Sequence, residues 1–106
     1  MADIHWLLLY LQMRPSKYLE SKEEAKTMIE SGQVKSLPQL LLIIEKTPFS
    51  KDAQTTPERF SRCLDNMSLF RFGDIHNMAQ ALDVDDKAIL DIFYNEFLKQ
   101  LRKKKV

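Results

Sequence analysis

Arg59 and Arg62 stand one helical turn apart in the stretch TPERFSRCLDN that runs from Thr56 to Asn66. A guanidinium presents a planar fork of N–H donors, which matches a carboxylate, a phosphate or the O6/N7 edge of guanine. Glu58, next to them, only accepts hydrogen bonds when ionised and suits an exocyclic amino group such as that of cytosine. Thr56, Lys46 and Lys51 add a hydroxyl and two ammonium groups of the kind that hold phosphate oxygens without reading sequence. These six residues are the candidate site, and the chemistry they offer is binding rather than bond-making.

Other residues that could do chemistry lack partners in the sequence. His5 and His76 have no cysteine or second histidine at a metal-ligand spacing. Cys63 falls on an apolar face, where a thiol behaves as a small hydrophobic group. Asp83, Asp85 and Asp86 resemble a fragment of a calcium loop but lack its central glycine and closing glutamate. The chain combines no nucleophile, base and oxyanion donor, and with two glycines it has no glycine-rich phosphate loop. No enzyme activity, cofactor or metal is expected.

The elements that must position the candidate site can be read from period and punctuation. Thr56 is a suitable N-cap, Pro57 sits at the first helical position and Glu58 lies in the first turn. Phe60, Cys63 and Leu64 then share one face, with Arg59, Arg62 and Asn66 opposite. A short helix from Pro48 to about Ala53 precedes this one across a tight turn at Gln54-Thr55. Upstream, Ser36 opens a helix whose buried side is Leu37, Leu40, Leu41, Ile43 and Ile44, ending before Thr47-Pro48. Ser16 or Ser21 caps an earlier, thinly apolar helix; Ser21 and Glu24 have capping-box spacing, and Gly32 is its stop. Ile4–Met13 is apolar almost all round and reads as a further helix, ended by Arg14-Pro15. Downstream, Phe72, Ile75, Met78, Ala79 and Leu82 form one amphipathic helix. Asp85 then caps a last helix carrying Ile89, Leu90, Ile92, Phe93, Tyr94, Phe97, Leu98 and Leu101, a stripe wider than a surface helix needs. The chain is therefore predicted to be all-α, about seven helices in a single-domain bundle.

Composition agrees with one small domain: 106 residues, 44% hydrophobic. A single cysteine fits a reducing compartment, and the longest apolar run, Trp6–Leu11, is too short to span a bilayer. A cytoplasmic protein without membrane contact is expected. The net charge of +1 hides an uneven distribution. Residues 46–72 hold Lys46, Lys51, Arg59, Arg62 and Arg71 against three acids, residues 73–101 are acidic, and Arg102–Lys105 are all basic. That basic end is either a solubilising terminus or an arm for phosphate. The two most apolar helices, Ile4–Met13 and Ile89–Leu101, most economically pack on each other, with Trp6 buried against the last helix; a homodimer seam is the alternative use of the same surfaces.

Residues 37–93 resemble the phage-repressor (Cro-type, lambda-repressor-like) helix-turn-helix family. The family pattern L-A-x-x-x-G-V-S-x-x-x-I-S-R-I-E-N-G aligns with Phe49, Ser50, Gln54, Thr55, Thr56, Phe60, Ser61, Arg62, Cys63, Leu64, Asp65 and Asn66. The family's I-A-x-A-L-G-V aligns, at the expected distance, with Met78-Ala79-Gln80-Ala81-Leu82-Asp83-Val84. Gln54 stands where the family has its turn glycine, which takes a positive φ, and Asn66 and Asp83 replace two more glycines. The resemblance implies a helix-turn-helix core at 36–93; outside it the chain divides into a helical extension, 1–35, and the end of the last helix with a basic tail, 94–106. It implies double-stranded DNA as partner. Arg59, Arg62 and Glu58 would then face base edges, and Thr56, Lys46 and Lys51 phosphates. The competing expectation is a protein-interaction module on the same fold, antirepressor-like or antitoxin-like, with DNA binding lost or reduced.

Overall fold

The computed structural model describes residues 17–104. Among them are six α-helices, α1 (Lys17–Glu30), α2 (Leu37–Ile43), α3 (Lys46–Asp52), α4 (Pro57–Asp65), α5 (Phe72–Leu82) and α6 (Asp86–Lys104), with a 3₁₀ turn at Met67–Leu69 between α4 and α5. No strand occurs among the described residues, and none of these helices is long and apolar enough to cross a membrane. The predicted helix at Ile4–Met13, and the burial of Trp6 against α6, lie outside the described residues.

α1 buries only Ala25 and Ile29, as its thin stripe implied. Ser21 does not cap it: its hydroxyl donates to the Lys17 carbonyl at 3.0 Å, an in-helix bond back along the chain. Gly32, at φ 81°, ends α1 in the left-handed region while Gln33 and Val34 N–H groups return to the Met28 carbonyl. α2 begins at Ser36, whose hydroxyl and Gln39 form a reciprocal capping box. It stops sooner than predicted. Ile44 is already extended, and Thr47-Pro48 falls inside the first turn of α3. A proline there loses nothing, because first-turn N–H groups have no partner within the helix.

A line of aromatic rings crosses the core. Phe49 meets Phe60 at 5.8 Å, Phe60 meets Phe70 at 5.8 Å and Phe70 meets Phe93 at 5.0 Å, each pair edge-to-face. These contacts join α3, α4, the end of the 3₁₀ turn and α6, each contributing about 0.5–1.5 kcal/mol beyond the area it buries. Leu40, Ile44, Met78, Leu82 and Ile89 complete the buried centre. α1 is tied along its length: Tyr18 and Lys22 bond Asp52 at the end of α3, and Lys26 bonds the carboxylate and carbonyl of Asp83 after α5.

Two predicted stripes are wider than the faces the fold covers. Phe72 opens α5 but is 83% exposed, and Leu90, Tyr94 and Leu101 on α6 are exposed as well, whereas Ile89, Ile92 and Phe93 are buried. Helical period placed these residues beside the core, but no described element stands over them.

Candidate functional site

Local sequence makes α4 a short helix with two faces. The Thr56 hydroxyl accepts from the Arg59 backbone N–H at 3.2 Å, and Pro57 follows at the first position. Phe60 and Cys63 point inward and are 1% exposed, while Glu58, Ser61, Arg62 and Asp65 face solvent. The turn from α3 closes with Gln54 N–H on the Lys51 carbonyl and Thr55 N–H on the Ser50 carbonyl. Gln54 has φ 64°, left-handed in a residue with a Cβ, at the position where the resemblance expected a turn glycine. Asp83 also takes the left-handed conformation, φ 56°. Asn66 does not. Its φ is −135°, and its side chain instead accepts from the Ser68 N–H and hydroxyl to start the 3₁₀ turn.

The six predicted site residues divide. Lys46, Lys51, Glu58 and Arg62 are exposed, and their side chains make no hydrogen bond or ion pair among the described residues. Thr56 is exposed and used as the cap, which occupies a lone pair and leaves its proton to donate. Arg59 is not free. Its Nη1 and Nη2 meet Asp74 Oδ1 and Oδ2 at 3.0 and 2.8 Å, and Nη1 also reaches the Thr55 hydroxyl at 3.3 Å. Asp74 lies in the first turn of α5 and also accepts from the Arg71 backbone N–H at 2.8 Å. Partial burial pushes the Asp74 carboxyl up, but the Arg59 bonds, the Arg71 N–H and both positive charges outweigh this and hold it below the ordinary carboxylate range. The same bonds raise the Arg59 guanidinium above its ordinary value.

A second clamp holds the other end of α4. The Gln100 side chain on α6 donates to the Leu64 carbonyl at 2.9 Å and accepts from the Met67 N–H at 3.1 Å. Sequence reasoning passed over both Asp74 and Gln100, because each acts across a sequence gap of 15 to 36 residues that helical period does not register. Arg102 and Lys103 continue α6 as exposed helical residues rather than as a loose end. With Lys35 and Lys99, Arg102 lines a polar recess of about 370 Å³ that also includes Glu96.

Fold and site together define an all-α bundle that presents a short, two-faced helix fixed at both ends. No family model matches the chain, and no curated protein or solved structure matches it.

Proposed function

We propose that this chain is a sequence-specific DNA-binding regulator in which α3, the Gln54 turn and α4 act as a helix-turn-helix and α4 enters the major groove. One observation carries the reading: a left-handed turn between two short helices delivers α4 with Phe60 and Cys63 inward and, outward, an Arg62 side chain that is unpaired among the described residues. In this arrangement Arg62 reads a base edge and Glu58 accepts from an amino group, while Lys46, Lys51 and the Thr56 hydroxyl hold phosphates. Arg59 has a different part from the one its sequence position suggested. Bound to Asp74, it is a positioning residue that sets the angle of α4.

Selection of bound sequences from a random duplex pool tests the proposal. A consensus should emerge, and Arg62→Ala should weaken binding to it by about 1–3 kcal/mol and relax preference at one base pair. Lys51→Ala should weaken all sequences evenly and reduce the salt slope by about one. Absence of any consensus, together with salt-independent binding, would overturn it.

The protein-interaction reading, antirepressor-like or antitoxin-like, has its own support. Asp74 neutralises one of the two arginines, and the outward face of α4 sets Glu58 and Asp65 against Arg62 alone. A folded Arg59→Ala/Arg62→Ala variant that binds its selected duplex as tightly as the parent would favour this second reading.

A further inference from the structure

α2 packs against α6, and that contact gathers polar side chains from both elements. Lys35, Ser36 and Gln39 come from the start of α2, and Glu96, Lys99 and Arg102 from one side of α6. All six belong to the described lining of the polar recess of about 370 Å³. Small-ligand sites run from about 300 to 1,000 Å³, so the recess is large enough to be one. In the sequence Arg102 belongs to the basic end of the chain. The fold sets it inside α6 instead, one turn from Lys99, in the same recess as Lys35.

The hydrogen bonds already made here leave donors behind. Gln39 Oε1 accepts from the Lys35 and Ser36 backbone N–H groups at 2.9 and 3.3 Å. The Ser36 hydroxyl accepts from the Gln39 backbone N–H at 3.4 Å. These bonds occupy the Gln39 oxygen and one Ser36 lone pair, and leave the Ser36 proton and the Gln39 amide protons to donate. The Lys35 and Lys99 ammonium groups and the Arg102 guanidinium are donors with no acceptor capacity. Their side chains make no hydrogen bond or ion pair among the described residues. Against these three cations the described lining holds a single carboxylate, Glu96. Such a set matches a ligand rich in acceptors that carries more than one negative charge. A carboxylate offers a single charge, and so does a phosphodiester. A phosphate monoester offers three terminal oxygens and a charge of about −1.5 to −2 at pH 7.

We propose that the recess binds a phosphate monoester group. Lys35, Lys99 and Arg102 neutralise it, and Ser36 and Gln39 donate to its oxygens. The proposal does not rest on DNA binding by α4. Titration of the full chain at matched ionic strength, followed by calorimetry and phosphorus NMR, tests it with phenyl phosphate, inorganic phosphate and dimethyl phosphate. Phenyl phosphate should saturate one site, and dimethyl phosphate, a diester, should bind severalfold more weakly. Lys35→Gln, Lys99→Gln and Arg102→Gln, all at exposed positions, should each weaken phenyl phosphate binding by about three- to tenfold. Glu96→Gln should tighten it, with urea melts checking that each variant stays folded. Inorganic phosphate binding as well as phenyl phosphate would support the site with free phosphate as its source; preference for phenyl phosphate would support it with an organic ester. Absence of saturable binding, or equal binding of dimethyl phosphate, would overturn the proposal. So would a folded Glu96→Gln variant with no gain in affinity. Binding that survives the three glutamine changes but is lost when the chain is cut after Arg102 would also overturn it, because the terminal residues would then hold the ligand.

Discussion

Replacing Asp74 by alanine is the sharpest test of how α4 is held. The change removes two charge-assisted bonds from Arg59 and the bond from the Arg71 N–H. The pair is intermediate between surface and core, with side chains 32% and 18% exposed. Its coupling should therefore exceed that of an open ion pair and fall below that of a dry one, about 1 kcal/mol. Loss of the first-turn bond in α5 adds about 1 kcal/mol, as for a helix cap. Together these give about 2 kcal/mol, or a fall in Tm of roughly 10 °C for a domain of this size. Urea melts of the parent, Asp74→Ala, Arg59→Ala and the double variant isolate the pair. The sign with pH follows from the depressed Asp74 carboxyl. Its stabilisation is complete above the ordinary carboxylate value of about 3.9 and is lost as pH falls through the lower folded value. The parent should thus lose stability more steeply than Asp74→Ala below about pH 4. Additive single changes, with coupling below about 0.3 kcal/mol and parallel acid limbs, would refute the clamp.

Gln100→Ala should cost about 1–3 kcal/mol, measured by urea unfolding, because it strips partners from the Leu64 carbonyl and the Met67 N–H. Gln54→Gly should stabilise by about 0.5–1 kcal/mol in the same assay: a side chain at φ 64° costs about 1–2 kcal/mol, and glycine's unfolded-state entropy returns part of the gain. Phe60→Ala removes a ring held between Phe49 and Phe70 and should cost about 3–5 kcal/mol in thermal or urea melts.

The two-helix unit was legible because its signals are local. Thr56 capping Arg59 N–H, Pro57 at the first position and Phe60 and Cys63 one turn apart all act within four residues, where propensity and period operate. The ends of α2 and α3 were misplaced because proline was read as a stop, whereas the extended backbone at Ile44 had already ended α2. Arg59 illustrates a different limit. Period put it with Arg62, but the packing of α5 on its neighbours brings Asp74 within 3.0 Å, and nothing in the local sequence records that approach. Phe72 and Tyr94 show the same limit in reverse, since an apolar period predicts a buried face without saying whether a described element covers it.

The clamps also bear on what α4 can do. A helix of nine residues has little stability alone, so its orientation must come from tertiary contacts. Arg59–Asp74 fixes the first turn to α5, and Gln100 fixes the last turn to α6. A reading helix gains from this arrangement, because a side chain that recognises a base edge must arrive with its direction already set. Arg62 occupies the outward position between the two clamps, and its side chain makes no ion pair among the described residues. On this reading, breaking the clamp should cost DNA affinity even though Asp74→Ala removes a negative charge and frees Arg59. Charge alone would strengthen phosphate attraction. Comparing the selected duplex with an unrelated one separates the two effects: affinity for the selected sequence should fall while affinity for the unrelated sequence rises. An equal rise for both would mean that α4 contributes charge without direction.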